Sequence, residues 1–443
     1  MRQNGLAVLE RNGAVRLTSR AYDSRLRRFL LQHAPMPLER PAALTFDLSD
    51  LLSGFRGIYL VNAVVAFLFA ASAPVAIILT AGAAGHLSET DIASWLFGCF
   101  FINGLLSLAF CLAYRQPLVF FWTIPGTVLV GQALDHLSFA QVIGAYYATG
   151  LLMLILGLSG WMRKCMDLLP MPIVMAMVAG VFLQFGLNLI YAIRDGFVIA
   201  APMTAVFVLL SAVRMFGRAL PPLIGALITG VVVIALSGKF DMGGAVFSSV
   251  ASPNLYTPEF SWRAMVELVL PLAITVLAAQ NAQGFAVLEA AGHKPPVNMV
   301  TAACGIGSLI AASVGTVSTC LTGPVNAILA SAGDKEKHYA AGVLVALLAL
   351  AFGIFSPLFT HFMLAAPKAF IATLAGLALV RILERTFVVS FKGSFTLGAT
   401  VTFLITVANV SILSIGAPFW GLVIGFAISW ALEKPDFEPI AKK

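Results

Sequence analysis

A chain of 443 residues that is 60% hydrophobic and only 11% charged cannot clothe a water-facing surface, which ordinarily takes about a quarter charged residues. Most of its surface is therefore built for lipid. The sequence also lacks a P-loop, a nucleophile elbow and a metal-binding helix motif, so ATP-driven transport and intramembrane hydrolysis have no residues to carry them, and no enzyme activity or cofactor is expected.

Residues 1–50 carry eight arginines, from Arg2 to Arg40, and no early apolar core before a small-residue cleavage site. This reads as a basic cytoplasmic arm and not as a signal peptide. Within it, Arg20 to Gln32 suits either an amphipathic helix on anionic headgroups or a solvated tail. From residue 51 to 237 the apolar runs predict seven transmembrane spans, 54–81, 92–114, 117–134, 139–160, 170–193, 197–213 and 220–237. An extracytoplasmic linker, 238–263, follows. Seven more spans are expected within 264–432, at 264–292, 296–313, 316–332, 338–363, 366–387, 392–412 and 415–432, ahead of a cytoplasmic tail, 433–443. The runs show no period-2 alternation, which favours helices over a barrel. With the arm placed inside, the remaining Lys and Arg fall fifteen inside and four outside, as the positive-inside rule requires. Both termini are then cytoplasmic.

The third span reads PLVFFWTIPGTVLVGQAL. Its aromatic and β-branched first half suits an extended strand, and Pro125 is placed to begin a helix. The tenth span repeats that form: TVSTCL, then Thr322-Gly323-Pro324, then a helical run. Trp122, Thr123, Pro125, Gly126 and Thr127 in one span, and Thr319, Thr322, Gly323 and Asn326 in the other, are the candidate substrate-binding residues. Helices that start mid-membrane expose N–H groups carrying partial positive charge, which makes an anion site without arginine. The eighth span holds Gln280, Asn281 and Gln283. Buried amides must bond to something, and opposite Ser72 of the first span they are expected to face a cavity. The alternative is that they glue helices together. Arg381 and Glu384 are expected to pair, and Gly421 with Gly425 to serve helix packing. The five cysteines read as free packing residues, and the scattered histidines as no metal site.

Four segment pairs recur in the same order: YATGLLMLIL from Tyr147 and YAAGVLVALL from Tyr339, AAS at Ala70 and AAQ at Ala278, PIVMAMVAG from Pro172 and PKAFIATLAG from Pro367, and PLIG from Pro222 and PFWG from Pro418. Seven spans is an odd number, so the second copy is inverted. The expected architecture is an all-α polytopic membrane protein of about 14 spans in two inverted repeats, with short extended stretches and half-helices in spans three and ten. That is the build of a secondary transporter.

FFWTIPGTVLVG around Pro125, AAQNAQGFAVLEAAGHKPPVN from Ala278, MAMVAGVFLQFGLN from Met175 and FWGLVIG from Phe419 resemble the bacterial benzoate/proton symporter family over roughly residues 50–432. The resemblance implies the seven-plus-seven inverted-repeat class shared with uracil permeases and with sulfate and bicarbonate transporters. In that class a core domain (spans one to four and eight to eleven) moves against a gate domain (five to seven and twelve to fourteen). It implies substrate contacts from Trp122, Thr123, Pro125, Gly126, Gln280 and Asn281. The sequence departs from the family at Gln283, where a proline is usual, in the tenth span, and in the long arm.

The function expected is proton-coupled import of a benzoate-like aromatic carboxylate through the bacterial inner membrane, with lipid as the other partner and no nucleic acid. A homodimer is admitted as its assembly. A nucleobase or inorganic-anion transporter is the alternative, although uracil-type permeases carry an acidic residue at the position of Gln280. A non-transporting receptor or scaffold is the third reading. No Asp or Glu lies mid-span, so the proton would travel with the substrate or through a residue near a span end, such as Glu289.

Overall fold

The computed structural model describes residues 38–41, 51, 55, 57–162, 170–213, 220–238, 249–331, 333–409, 412 and 417–441. Most of the arm, Cys165 and the extreme C-terminus lie outside the described residues. Helices long and apolar enough to cross a membrane are Ile58–Ala84, Glu89–Tyr114, Phe139–Ser159, Met171–Asp195, Trp262–Ala290 and Lys335–Ile354, joined by five shorter apolar helices. The protein is a largely helical, multi-pass membrane protein.

In chain order the first half contains α1 (Ile58–Ala71), α2 (Ala73–Ala84), α3 (Glu89–Phe97) and α4 (Asn103–Tyr114), then strand β1 (Phe120–Trp122). It continues with α5 (Ile124–Ala133), α6 (Phe139–Ser159), α7 (Met171–Asp195), α8 (Phe197–Ala212) and α9 (Pro222–Ser237). The second half contains α10 (Trp262–Ala264), α11 (Leu270–Ile274), α12 (Ala282–Ala290) and α13 (Val297–Ala312), then strand β2 (Thr319–Leu321). After it come α14 (Gly323–Leu329), α15 (His338–Ile354), α16 (Ser356–Leu364), α17 (Lys368–Phe391), α18 (Thr396–Ala408), α19 (Ala417–Leu432) and α20 (Lys434–Ala441).

Two predicted spans are interrupted. Ser72 leaves helical geometry, with φ −98° and ψ −94°, so the first span is α1 and α2 in series, and Pro74 in the first turn of α2 explains the restart. The run expected to continue to residue 363 stops at Ile354, and α16 instead meets α17 at a bend of 111°. Three π-helical turns, Gly98–Ile102, Met265–Val269 and Thr275–Asn281, also interrupt helices. Each rotates the side chains that follow relative to an α-helical count, and such bulges recur at functional sites.

Apolar packing divides the molecule. One cluster centres on Trp95, Phe100, Tyr146 and Val325. A second is built from α7, α8, α9 and α17 around Phe182, Met203 and Phe370, and meets the first along α2 and α5. A third, with Phe120, Leu277, Cys304 and Leu321, lies around the strands. Small residues allow the closest crossings. Gly150 of α6 faces the Gly305 carbonyl of α13, with room for a methyl only 3.2 Å away, and Thr402 of α18 donates to the Gly421 carbonyl of α19 at 2.9 Å. The Gly421–Gly425 step is thus a packing step. Arg381 and Glu384 pair at 3.3 Å on the exposed face of α17.

The end of the linker, residues 249–261, is stitched across four helix ends. Ala251 N–H donates to the Ile354 carbonyl at 2.7 Å, Tyr256 N–H to Ser313 at 2.9 Å and Glu259 N–H to Ala140 at 2.9 Å. Asn254 N–H bonds to the Ser94 hydroxyl at 3.0 Å.

Candidate functional site

The extended stretches expected ahead of Pro125 and Pro324 pair with each other. β1 and β2 form an antiparallel ribbon with Phe120 opposite Leu321, Phe121 opposite Cys320 and Trp122 opposite Thr319. A two-stranded ribbon buried in a membrane protein has two unpaired edges, each costly in a dry interior. Here side chains close part of each. On the β1 edge, Phe120 N–H donates to the Ser107 hydroxyl at 2.8 Å, and that hydroxyl lies 2.7 Å from the Asn103 carbonyl and 3.1 Å from the Phe120 carbonyl, either of which can take its proton. Asn326 accepts from Val119 N–H at 3.1 Å and donates to the Val119 carbonyl at 3.2 Å. On the β2 edge, Thr319 N–H donates to the Ser308 hydroxyl at 2.9 Å and Leu321 N–H to Asn281 Oδ1 at 2.7 Å.

The hydrogen bonds of the ribbon divide the candidate residues. Asn281 is fully buried, and its amide is committed to Leu321 and, at 3.5 Å, to the Cys304 sulfur. Asn326 is committed to Val119. Thr319 donates to Asn103 Oδ1 at 2.8 Å. Ser72 donates to the Phe69 carbonyl of its own helix at 3.1 Å and makes no hydrogen bond to the eighth-span amides. Gln280, one position before Asn281, has no hydrogen-bond partner among the described residues and keeps 8% of its surface accessible.

The two helix starts are not equivalent. At α5, Thr123 accepts from Gly126 N–H at 3.2 Å and donates to Thr275 Oγ1 at 3.1 Å, and Thr127 folds back on the Thr123 carbonyl at 2.9 Å. That N-terminus is capped, with Pro125 in its first turn. At α14 the Thr322 side chain does not cap the helix, and its buried hydroxyl has no oxygen or nitrogen partner among the described residues. The N–H groups of Gly323 and Val325 have no backbone partner there either. Gln283 lies across this turn: a methyl built on Gly323 would come within 2.6 Å of its Cγ and 2.9 Å of its Oε1. Because the ribbon is antiparallel, the two helices leave it at opposite ends, roughly 10–14 Å apart at the strand rise.

Trp122 is 2% exposed, with its ring edge-on to Phe100 at 5.2 Å. Its indole N–H and the Ser318 hydroxyl have no partner among the described residues. An unmade buried hydrogen bond costs about 1–3 kcal/mol. Sequence reasoning missed Ser107, Ser308, Asn103 and Thr275. The signal available for two of them was a serine inside the second span and one inside the ninth, Ser107 and Ser308, at corresponding places in the repeat.

The chain matches the family described as benzoate membrane transport protein, BenE, over residues 55–431. It is 29% identical over 354 residues to the inner membrane protein YdcO of Escherichia coli (strain K12), covering 79% of this chain and 89% of that one. It is 28% identical over 398 residues to the benzoate membrane transport protein of Acinetobacter baylyi (strain ATCC 33305 / BD413 / ADP1), covering 88% and 96%. Among solved structures it is similar in fold to SLC26A9, with a TM-score of 0.60 at 16% identity over 94% of this chain and 69% of that chain. It is also similar to the transmembrane domain of the cyanobacterial bicarbonate transporter BicA, with a TM-score of 0.56 at 14% identity over 88% and 100%. The chain belongs to the BenE family of benzoate membrane transport proteins, and is a membrane transporter and not an enzyme.

Proposed function

We propose that this protein imports a benzoate-like aromatic monocarboxylate with protons by alternating access. It would do so in a bacterial inner membrane, on fourteen spans in two inverted repeats, with both termini in the cytoplasm. The name of the Acinetobacter relative supports the substrate class and that of the Escherichia coli relative the membrane. The correspondence of β1–α5 with β2–α14, and of Ser107 with Ser308, supports the inverted repeat. The division of apolar packing supports a core built on the ribbon and a gate built on α7–α9 and α17–α19.

The observation that carries the reading is the open first turn of α14. Among the described residues Thr322 Oγ1 has no oxygen or nitrogen partner and the N–H groups of Gly323 and Val325 have no backbone acceptor, beside the Gln283 amide. A carboxylate supplies acceptors alone, so it fits them. With only seven residues α14 has a small macrodipole, and direct hydrogen bonds would carry the affinity. One carboxylate cannot span to the capped start of α5. Trp122 and Gln280 would then orient the ring and its substituents.

Uptake of labelled benzoate into proteoliposomes, with unlabelled competitors, tests this. Benzoate should compete and benzamide, which keeps the ring but loses the charge, should not. Equal competition by benzamide would move the assignment to a neutral substrate such as a nucleobase. Competition by bicarbonate or sulfate alone would move it to an inorganic anion.

A further inference from the structure

Far from the ribbon, in the turn after α5, His136 Nε2 lies 3.0 Å from each carboxylate oxygen of Glu267. Glu267 sits in the π-turn Met265–Val269 and is 5% exposed, while His136 is 23% exposed. The pair lines a cavity of about 130 Å³, together with Gln132, Asp135, Asn409 and Phe419. Gln132, Asp135 and Asn409 also line a neighbouring cavity of about 280 Å³ between α2 and α5 on one side and α7 and α18 on the other. The pair therefore belongs to the ribbon-bearing half of the molecule, and residues just past α18 and at the start of α19 face it. Glu289, the residue near a span end that the sequence offers for the proton, is exposed.

Charge decides what this arrangement does. With neutral imidazole and ionised carboxylate the pair has net charge −1, which a dry interior penalises. With one proton added at His136 Nδ1 it is an imidazolium facing a carboxylate, net zero, which a dry interior tolerates far better. Closing α18 and α19 over the cavity would shut water away from the pair, and a closed mouth accommodates the net-neutral pair better than the charged one. The other charged groups nearby are Asp135, which lines the same cavity, and Arg263, one turn before Glu267. Glu259 is engaged by Gln141 at 2.9 Å. Of the helices packed around the pair, α6 carries Tyr146 and Tyr147 as its only titratable residues, and α5 and α19 carry none.

We propose that His136 and Glu267 form a proton-binding site that governs closure of the outer mouth, the mouth shutting on the protonated pair. This rests on the proton-coupled reading above, and it assigns the coupling to residues remote from the substrate site. One proton from the outer solution adds to the imidazole, and no other bond changes.

Two measurements on the full-length protein test it. The first needs no substrate: in a cysteine-free background, Phe419→Cys is labelled from outside as pH is varied, normalised to the exposed Ser249→Cys. Labelling should fall severalfold on acidification, and with Glu267→Gln added it should be low at every pH. The second is benzoate uptake into proteoliposomes against outer pH, corrected for protein-free vesicles. Acid outside should accelerate the native protein, and Glu267→Gln and His136→Gln should abolish the acceleration while retaining benzoate binding, read as the melting shift that benzoate gives in detergent. A pH response of labelling unchanged by both substitutions overturns the proposal. So does loss of the benzoate-induced melting shift in both, because the pair would then only hold the fold together. If labelling behaves as expected and the native protein moves no benzoate, the proton site stands and the substrate assignment fails.

Discussion

Adjacent amides should fail in opposite ways. Asn281→Ala removes the acceptor of a 2.7 Å hydrogen bond from Leu321 N–H at a position with no solvent exposure. The orphaned donor costs about 1–3 kcal/mol. Through the ribbon the damage reaches the start of α14, so substrate affinity falls as well. Gln280→Ala breaks no hydrogen bond and should leave stability within about 0.5 kcal/mol of native. Any loss of affinity there reflects lost contact with substrate. The assay is a detergent thermal-shift measurement with and without benzoate, run beside Asn281→Leu, which keeps the volume but not the acceptor. Both Asn281 variants should melt several degrees below the native protein, and Gln280→Ala should melt with it but gain less from benzoate. If Asn281→Ala melts like the native protein and only Gln280→Ala is destabilised, the assignment of glue and contact is reversed.

The two half-helix glycines should also differ. A methyl on Gly126 overlaps the Thr123 methyl and lies 2.9 Å from Leu272 Cδ2. Gly126→Ala should therefore cost the Thr123 cap, about 1 kcal/mol, and lower the yield of folded protein on size-exclusion chromatography. Gly323→Ala displaces only the flexible Gln283, so it should fold normally and bind benzoate more weakly, with Gln283→Ala partly restoring binding. On the opposite side of the molecule, His293 is bonded to His338 at 3.1 Å. Burial first, then His338 and Lys335, push it down to about 4 from an ordinary 6.5. The unfolded chain then takes up this proton before the folded one does, so stability is full above about 6.5 and declines as pH falls towards about 4. Melting midpoints against pH should show that decline, and His293→Gln should flatten it. Parallel curves would contradict the account.

The form of the two broken spans was legible because it is local. FFWT before Ile-Pro-Gly, and TCLT before Gly-Pro, each state strand and then helix within a few residues. The allocation of the polar groups was not. Asn281 and Gln280 read alike as buried amides, and what separates them is the β1–β2 register, set between segments about two hundred residues apart. The asymmetry of Thr123 and Thr322 is hidden for the same reason: one hydroxyl meets Thr275 across the fold, and the other finds no oxygen or nitrogen partner among the described residues. His136 looked like a scattered histidine and Glu267 like a residue near a span end because they are 131 positions apart. The break at Ser72 had only Pro74 to announce it, and the π-turns left no compositional mark.

The ribbon also has a consequence for biogenesis. As the chain emerges from the ribosome, residues 117–134 enter the membrane with β1 extended and its partner not yet made. Ser107 covers part of one edge, but the groups meant for β2, and the Asn326 amide meant for Val119, arrive only some two hundred residues later. A bare extended edge in hydrocarbon costs several kcal/mol per unsatisfied group, so the nascent first half cannot settle in its final form. It must wait in an alternative, such as a helix lying shallowly or a segment held by the insertion machinery, until Thr319 to Leu321 dock. The two halves therefore mature together, and neither has a native structure of its own to reach first.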